Sequence, residues 1–384
     1  MVARIHIVQP GDSLYSIGKE YGVDYQQIAR DNAIEQENMA DLVFGQTIVI
    51  KTDDVGSKNR DILVNGYAYP NISENTLDKT LSNLTFLSLF SYEALEDGGL
   101  NPIVVPKAED NAIAKAIAAG VKPALVVTNI GKSGNFEADL AHKILNNPAV
   151  ASNLIDNLLK IMKNKKYAGL DVDFEYVLPA DRQAYNDFLT KCAQVMHGNG
   201  YFISCAIPAK QAENTSDTLT GAYDYAAIGS IVDYVTLMTY EWGYATDGAM
   251  AVAPIGNVEG TIKFAATQMP PAKILMGIPN YGYDWPVPAS RDNPGKAISN
   301  VAAVDLARQH NQAISFDENS KAPFFSYYID SKRREVWFED ARSVQAKLAL
   351  VAKYDLSGVS YWTVNKFWPQ NWLVLKSMYN VIKK

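Results

Sequence analysis

The chain is poor in the residues that bind metal ions and cross-link proteins. Its 384 residues include 2 cysteines and 4 histidines. Cys192 and Cys205 lie in a predicted helix and in the strand that follows it, so we interpret them as free buried thiols rather than as a disulfide framework. The sequence contains no HExxH or CxxC motif and no nucleotide-binding glycine loop. It therefore predicts neither a metal ion nor a nucleotide cofactor.

Long apolar runs and an excess of positive charge are also absent. No stretch approaches the roughly 18 apolar residues of a transmembrane helix, and the start, MVARIHIVQPGDSL, lacks the apolar run of a signal peptide. A net charge of −7 argues against nucleic acids and membranes as partners. A neutral polysaccharide stays open, because sugars are bound by aromatic stacking and hydrogen bonds. We expect a monomer that is made in the cytosol and not exported by the usual route.

Three carboxylates stand two residues apart in the run YAGLDVDFEYV, residues 167–177. In a β-strand Asp171, Asp173 and Glu175 share one face, and the apolar residues between them take the other. Like charges roughly 7 Å apart raise each other's pKa, so an ionised aspartate beside Glu175 is expected to keep that carboxyl protonated. The spacing favours acid catalysis of glycoside cleavage. A metal-binding strand and an acidic strand end in solvent are the alternatives.

Residues 1–50 are predicted to form a compact βααβ unit, which the polar residues 51–60 join as a short linker to the rest of the chain. The first helix begins after Asp12 or Ser13, either of which can cap it. The segment HIVQPGDSLYSIGKEYGV, Asn32 and LVFGQ (42–46) fall in register with a LysM module, which the unit resembles. The resemblance implies binding of N-acetylglucosamine-containing glycans between two loops; a mere folding cap is the alternative. The residues implied are Gly11, Asp12, Ser13, Leu14, Asp41 and Leu42.

From residue 61 to 384 strand and helix patterns alternate, which predicts a parallel (β/α)₈ barrel of the TIM type. More than 70 residues separate the seventh predicted strand from the eighth. They predict a small α+β insertion over about 286–340 that walls one side of the barrel mouth. The eight predicted strands are 62–69, 84–92, 123–130, 168–174, 201–207, 234–240, 273–281 and 358–364.

Acidic and aromatic residues follow several of these strands, where catalytic groups of such barrels lie. Residues 168–175 resemble the DxxDxDxE motif of glycoside hydrolase family 18, with alanine in place of the first aspartate. MTYEW (238–242), GIPNYGYDW (277–285) and SYWTV (360–364) match later strands of that family. The resemblance covers residues 61–384. Together with the LysM module, EDARSVQAK (339–347) and FWPQNWLVL (367–375) it is similar to spore-cortex-lytic and spore-germination N-acetylglucosaminidases of Gram-positive spore formers.

The family resemblance implies a retaining, substrate-assisted mechanism, an exception to the scheme of two catalytic carboxylates. Glu175 would protonate the leaving oxygen and then activate water, while the substrate's own acetamido group attacks the anomeric carbon. Asp173 and Tyr240 would hold that acetamido group, and Asp171 would share a proton with Asp173. The implied substrate-binding residues are Tyr67, Met238, Glu241, Tyr281, Tyr283 and Trp362. Packing within the core is the alternative for Tyr67, Met238, Tyr281 and Trp362.

Two departures from the family pattern are Ala168, which removes the outermost acid of a proton relay, and Glu241, where the family has aspartate. We also expect strained or cis peptide bonds at Glu175–Tyr176 and Trp362–Thr363. The predicted function is hydrolysis of N-acetylglucosamine linkages in peptidoglycan of the spore cortex, by an enzyme deposited on the spore. A chitinase and a non-catalytic glycan-binding spore protein are the alternatives.

Overall fold

The computed structural model describes residues 2–52 and 60–383. Its strands, in chain order, are β1 (Val2–Ile7), β2 (Thr47–Thr52), β3 (Asp61–Ala68), β4 (Phe86–Ala94), β5 (Leu100–Pro102), β6 (Lys122–Thr128), β7 (Gly169–Asp173), β8 (Phe202–Pro208), β9 (Tyr234–Met238), β10 (Ile274–Pro279), β11 (Gly282–Pro286), β12 (Lys296–Ile298), β13 (Ser315–Asp317), β14 (Ala322–Ile329), β15 (Lys332–Trp337), β16 (Gly358–Trp362) and β17 (Asn380–Val381). Its α-helices are α1 (Leu14–Tyr21), α2 (Tyr25–Asp31), α3 (Glu74–Leu81), α4 (Pro106–Ala118), α5 (Ala138–Leu145), α6 (Pro148–Lys165), α7 (Arg182–Gly198), α8 (Tyr225–Ile231), α9 (Ile255–Gln268), α10 (Asn300–Gln309), α11 (Ala341–Lys353) and α12 (Pro369–Met378).

The amino-terminal module is the predicted βααβ unit. β1 and β2 pair antiparallel, and α1 and α2 pack against each other between them in the chain. Ser13 caps α1: its hydroxyl accepts from the Ser16 amide, and the Ser16 hydroxyl accepts from the Ser13 amide in return. The apolar residues Leu14, Ile17 and Ile28 are fully buried in a small core of the module's own.

The predicted parallel barrel is confirmed. β3, β4, β6, β7, β8, β9, β10 and β16 pair in that order, and β16 returns to β3 to close the ring. Each of the eight predicted strands corresponds to one of them. No helix among the described residues is long and apolar enough to cross a membrane. Because all eight strands run in the same direction, their carboxyl ends meet at one mouth.

The insertion after β10 is a five-stranded antiparallel sheet in the order β12-β11-β15-β14-β13, with α10 beside it. The helix α10 and the strands β13 to β15 lie within the predicted insertion of about 286–340. β11 and β12 were not predicted. The predicted seventh strand, 273–281, is two residues too long, because the chain leaves the barrel after Pro279 and Gly282 starts a strand paired with β15. Tyr283 therefore belongs to the insertion.

The module is docked directly against the barrel and the insertion. Val43 packs into the apolar core of the insertion. The amide of Ile314 donates to the carbonyl of Phe44 at 2.9 Å, and Nε of Arg308 donates to the carbonyl of Asp41 at 2.9 Å. On the barrel side, Nε2 of Gln370 donates to Asn32 Oδ1 at 2.9 Å and to the carbonyl of Thr47 at 2.7 Å. The amino-terminal module is thus packed against the rest of the fold through both apolar contacts and hydrogen bonds.

Residues 53–59 of the predicted linker 51–60 lie outside the described residues. The predicted division of the chain at residues 50 and 60 stays a prediction.

Gly45 makes the tightest approach in this junction. A Cβ on Gly45 would lie 1.9 Å from the carbonyl oxygen of Ile314, and its φ is +82°. Gly22 is the matched control, because its φ is +69° and nothing lies within 4 Å of its Cβ position. Gly22→Ala should lower the free energy of unfolding by about 1 kcal/mol through backbone strain alone. Gly45→Ala should cost about 2 kcal/mol more, because the junction must also open.

Urea unfolding of the two variants measures this difference. Hydrogen exchange at the Ile314 amide should speed up in Gly45→Ala alone, since its acceptor is the carbonyl of Phe44. Equal losses in both variants, with an unchanged Ile314 amide, would show that the docked junction is not energetically significant.

Candidate active site

A cavity of about 890 Å³ opens at the carboxyl ends of the barrel strands. It falls within the size range of small-molecule and oligosaccharide sites. Carboxylates and aromatic rings make up much of its lining. Of the predicted site residues of the barrel, those that line it are Tyr67, Asp173, Glu175, Met238, Tyr240, Glu241, Tyr283 and Trp362.

The three carboxylates of β7 and its extension form a row that runs from the barrel core to the cavity. Asp171 has no exposed surface, Asp173 is 4% exposed and Glu175 is only partly buried. Neither carboxylate oxygen of Asp171 nor Oδ1 of Asp173 has a hydrogen-bond partner among the described residues. Burial raises the pKa of Asp171. Burial, then Glu175, then Asp171 raise the pKa of Asp173 well above its ordinary value.

Glu175 has the property that an acid catalyst needs. Burial, and secondarily the charge of Glu241, raise its pKa to about 8. The sequence-based expectation named an ionised aspartate as the cause and left out burial, which is the larger cause. Glu175 and Asp173 also disfavour each other's ionisation, so the two carboxyls titrate together. Desolvation by the cavity walls is the larger effect, and the second carboxylate comes from a different strand end.

The backbone of Glu175 is held by two buried residues that the sequence analysis missed. The Glu175 amide donates to Asn129 Oδ1 at 2.8 Å, and Asn129 Nδ2 donates back to the Glu175 carbonyl at 2.8 Å. The Tyr223 hydroxyl donates to the Phe174 carbonyl at 2.9 Å. A polar residue at the end of the buried strand β6 was the available signal for Asn129. Tyr223 lies in a long loop, where sequence patterns give no such signal.

Tyr176 follows Glu175 with a left-handed φ of +55°, and the peptide bond between them is not cis. The expected cis bond is present at Trp362–Thr363 and absent at Glu175–Tyr176. A left-handed conformation at a tyrosine is uncommon and costs conformational energy. The strain expected beside Glu175 is therefore in φ rather than in the peptide bond.

Glu241 lies across the cavity and is held by two tyrosines. The hydroxyls of Tyr281 and Tyr283 donate to Glu241 Oε1 at 2.9 and 3.3 Å. Burial raises the pKa of Glu241, and these two hydrogen bonds oppose that rise. Tyr281 is not among the residues that line the cavity, and its hydroxyl contacts the site through its hydrogen bond to Glu241. Glu241 itself has a φ of +66°.

An aromatic cluster forms one end of the cavity around Trp362. The rings of Tyr67, Tyr69 and Phe90 meet the Trp362 ring edge-on at centroid distances of 5.6, 6.1 and 5.2 Å. Tyr67 is buried, but its hydroxyl has no hydrogen-bond partner in the described part of the chain. Tyr69 and Phe90 were not predicted as site residues. Both residues lie in predicted strands but outside the family motifs, so the sequence offered no reason to assign them to the site.

The predicted glycan-binding residues of the module differ in their exposure. Gly11 is exposed with a φ of +90°, and Asp12 accepts hydrogen bonds from the Gln9 amide and from His6 Nε2. Leu14 is fully buried, its side chain lies in the module's core, and its amide donates to the Met39 carbonyl, so it does not face a ligand. Ser13 is occupied in capping α1. The side chain of Asp41 is exposed, and Leu42 packs against the module's core.

Comparison with family models identifies both parts of the chain. The model for glycosyl hydrolases family 18 matches residues 68–366, and the LysM domain model matches residues 6–51. The cortical fragment-lytic enzyme of Bacillus anthracis is 38% identical over an alignment of 435 positions, which covers 99% of both chains. The enzyme of the same description from Bacillus subtilis strain 168 is 35% identical over 434, again covering 99% of each.

Solved structures give the same picture. The Bacillus cereus spore cortex-lytic enzyme SleL superimposes with a TM-score of 0.93 at 33% identity, covering 100% of this chain and 99% of the other. A chitinase from Chromobacterium violaceum ATCC 12472 reaches a TM-score of 0.75 at 26% identity over 82% of this chain and 98% of its own.

The pKa of Glu175 can be measured directly. Carbon-13 NMR of labelled glutamate carboxyls should show Glu175 protonated at neutral pH and losing its proton near pH 8. Glu241→Gln removes the neighbouring charge while keeping the shape, so the Glu175 titration should move to lower pH but stay above the ordinary value of about 4.3.

Glu93→Gln is the matched control. Glu93 lies near the carboxyl end of the barrel strand β4, its Oε2 accepts from Asn101, and it does not line the cavity. It should leave the Glu175 titration unchanged. An ordinary pKa for Glu175 in the unmodified protein would refute this account of the site.

Proposed function

The chain belongs to glycosyl hydrolases family 18, and we propose that its substrate is the N-acetylglucosamine-containing peptidoglycan of the bacterial spore cortex. Membership of this family implies glycosidase activity. The substrate is supported by the end-to-end similarity to cortical fragment-lytic enzymes and to the spore cortex-lytic enzyme SleL. The observation that carries the chemistry is Glu175, a carboxyl on the cavity wall with a pKa of about 8.

Glu175 acts first as an acid. Its raised pKa means that the carboxyl holds a proton at neutral pH, which it gives to the glycosidic oxygen as the bond to the anomeric carbon breaks. Once it has lost that proton, the same carboxylate takes one from the incoming water. Asn129 forms hydrogen bonds with both the amide and the carbonyl of Glu175, which fixes the backbone that carries the carboxyl during both steps.

The substrate supplies the nucleophile in this proposal. Its 2-acetamido carbonyl attacks the anomeric carbon, and the resulting ring is opened by water with retention of configuration. Asp173 is suited to hold the acetamido N–H, because its Oδ1 faces no protein donor among the described residues. Tyr240 lines the same cavity and would donate its hydroxyl to the acetamido oxygen, while Trp362 lies beneath the reacting sugar.

Asp171 and Ala168 do not fit a proton relay in which each acid passes a proton to the next along the strand. Asp171 lies behind Asp173 with no exposed surface, so it can influence substrate only through Asp173. Ala168 precedes β7, at the end of the strand away from the cavity. We propose that an acid is dispensable there, because that position does not touch the carboxylates that face the substrate.

The LysM module would bind the same glycan, through the loop 11–14 and through Asp41 and Leu42. Its docking against the insertion makes it a fixed second contact rather than a tethered one. We further propose that the enzyme acts as a monomer on the spore, with no membrane or nucleic acid partner. The absence of net positive charge agrees with that assignment.

Glu175→Gln should abolish the release of muropeptides from purified cortex, with a loss of at least about 10³-fold, because the leaving oxygen has no proton donor. Glu93→Gln, which alters a carboxylate outside the cavity, should retain full activity. Mass spectrometry of the products measures both and identifies the bond cut. Unchanged product release by Glu175→Gln would exclude this mechanism.

The substrate class and the acetamido step can be tested together. Cortex fragments should be turned over faster than chitin oligomers of equal length, and removal of the N-acetyl group from the reacting sugar should stop cleavage of both. Preference for chitin oligomers would favour a chitinase. Tight binding to cortex with no products after prolonged incubation would favour a glycan-binding protein without activity.

A further inference from the structure

The strand that carries the acidic row ends before it reaches Glu175. β7 ends at Asp173, and its pairing with the neighbouring barrel strands β6 and β8 goes no further. Residues 174–177 therefore pair with no strand in the described part of the chain, although Phe174 and Val177 are fully buried. Buried amides and carbonyls need hydrogen-bond partners, so other groups must supply them here.

Two fully buried side chains take the place of the missing strand pairs. Asn129 exchanges hydrogen bonds with both the amide and the carbonyl of Glu175, as a neighbouring strand would. The Tyr223 hydroxyl donates to the Phe174 carbonyl at 2.9 Å and accepts from the Val177 amide at 3.4 Å. The backbone that carries the acid is thus held by side chains rather than by the barrel ladder.

The same hydrogen bonds surround a strained residue. Tyr176 has a φ of +55°, and it lies between Glu175 and Val177, each of which is held by one of the two side chains. Such a conformation persists only where the surrounding structure over-determines it. Without Asn129 and Tyr223 the segment would relax, and the Cα–Cβ bond of Glu175 would point in another direction.

Asn129 also belongs to a loop that lines the cavity. It is the first residue of a hairpin, 129–137, which we call the arm. The Glu137 amide donates to the Asn129 carbonyl at 3.0 Å, and Asn129 Nδ2 donates to the Glu137 carbonyl at 3.0 Å. The two N–H bonds of Nδ2 are therefore shared between the arm and Glu175. The arm residues that line the cavity are Ile130, Gly134, Asn135 and Phe136.

The carboxylate of Glu137 closes the arm. Its Oε1 accepts from the Ser133 hydroxyl at 2.8 Å and from the Ser133 amide at 3.2 Å. These contacts leave the Glu137 backbone free to bond with Asn129 as described. Removing the carboxylate would therefore loosen the arm without removing any contact of Asn129.

Tyr223 stands in a similar relation to the loop after β8. Its amide donates to the Thr220 carbonyl at 3.1 Å, and Lys210 Nζ donates to its carbonyl at 2.6 Å. Leu219 and Thr220 of this loop line the cavity, whereas neither Tyr223 nor Asn129 does. Since β6 and β8 flank β7 in the barrel, the two loops hold the Glu175 segment from opposite sides.

Resting on the function proposed above, we propose that Asn129 and Tyr223 are positioning residues that make the placement of the Glu175 carboxyl depend on the two cavity-lining loops. Neither side chain contacts the reacting atoms. A glycan that orders the loops also fixes the backbone that carries the acid. Contacts away from the cleaved bond thereby contribute to the rate of the chemical step rather than to binding alone.

Kinetics of Asn129→Ala and Tyr223→Phe on a soluble tetrasaccharide fragment of cortex peptidoglycan test the positioning. Because a misplacement of about 1 Å is costly, kcat should fall about 10²-fold and about tenfold respectively, with KM unchanged within about twofold. The alkaline limb of the kcat profile should move to lower pH. Burial is the main cause of the raised pKa of Glu175, and a displaced carboxyl gains contact with water. Tyr223→Phe removes a single oxygen atom and keeps the test valid if Asn129→Ala does not fold.

The chain offers a matched control for each variant. Asn32 bonds to both the amide and the carbonyl of Val49, at 2.7 and 2.8 Å, in the same two-sided way. The buried hydroxyl of Tyr379 donates to the Leu348 carbonyl at 2.7 Å. Asn32→Ala and Tyr379→Phe should lower stability but leave kcat and its pH profile unchanged. Equal effects in these controls would assign the loss to stability and contradict the proposal.

Glu137→Ala tests the dependence on the arm. It should speed up hydrogen exchange at the Glu175 amide, whose acceptor is Asn129 Oδ1, and should lower kcat about threefold. Glu318→Ala removes another carboxylate that bonds to a residue nearby in the chain, Lys321, and should change neither quantity. An unchanged Glu175 amide in Glu137→Ala would overturn the dependence on the arm.

The outcomes separate this inference from the function on which it rests. If the folded wild-type enzyme cleaves neither the tetrasaccharide nor cortex, the proposed function fails. Hydrogen exchange at the Glu175 amide still decides the inference in that case, because it needs no substrate. If the wild-type enzyme is active and both Asn129→Ala and Tyr223→Phe keep its kcat and pH profile, the function stands and the positioning role fails.

Discussion

The fold is organised around carboxyl groups that are buried without counterions. Among the described residues, neither oxygen of Asp171 nor Oδ1 of Asp173 forms a hydrogen bond of normal geometry. Nearby hydroxyls oppose the rise of the Asp171 pKa only in part; they belong to Tyr67, Ser204 and Ser88. Ionised, such groups would cost several kcal/mol each in lost solvation. Burial accordingly raises the pKa of each acid in the row, which favours the protonated form of each carboxyl. The same desolvation raises the pKa of Glu175 to about 8, so the property that an acid catalyst needs follows from the cost of burying this carboxyl.

Much of this arrangement could be predicted from the sequence because its determinants are local. Strands of a parallel barrel are buried on both faces and appear as short apolar runs, and catalytic groups follow their carboxyl ends. The two-residue spacing of Asp171, Asp173 and Glu175 places them on one face whatever the fold around them. Residues that act through long-range contacts were not predictable in this way. Asn129 and Tyr223 reach Glu175 from other elements, and Leu219 depends on a loop with no regular pattern.

The omission of burial and of Glu241 from the expected causes of the raised Glu175 pKa has the same origin. Neighbours along a strand are visible in the sequence, so an aspartate two residues away was the natural candidate. Glu241 lies 66 residues later and meets Glu175 only across the barrel mouth. Its position also depends on Tyr281 and Tyr283, both of which come after the point where the chain leaves the barrel for the insertion. The insertion is therefore part of the site's electrostatics as well as its wall.

The docking of the LysM module on the insertion bears on how such chains can be rearranged. This module is not an independent unit that could be exchanged freely. Val43 packs in the core of the insertion, and Gly45 lies so close to the carbonyl of Ile314 that a methyl group would not fit. A module from another protein would need an apolar residue at the position of Val43 and a glycine at the position of Gly45. Without them, the core of the insertion would be exposed to solvent at the junction. Exchanging glycan specificity by swapping the amino-terminal unit would consequently require redesign of α10 and the segment leading to β13 at the same time.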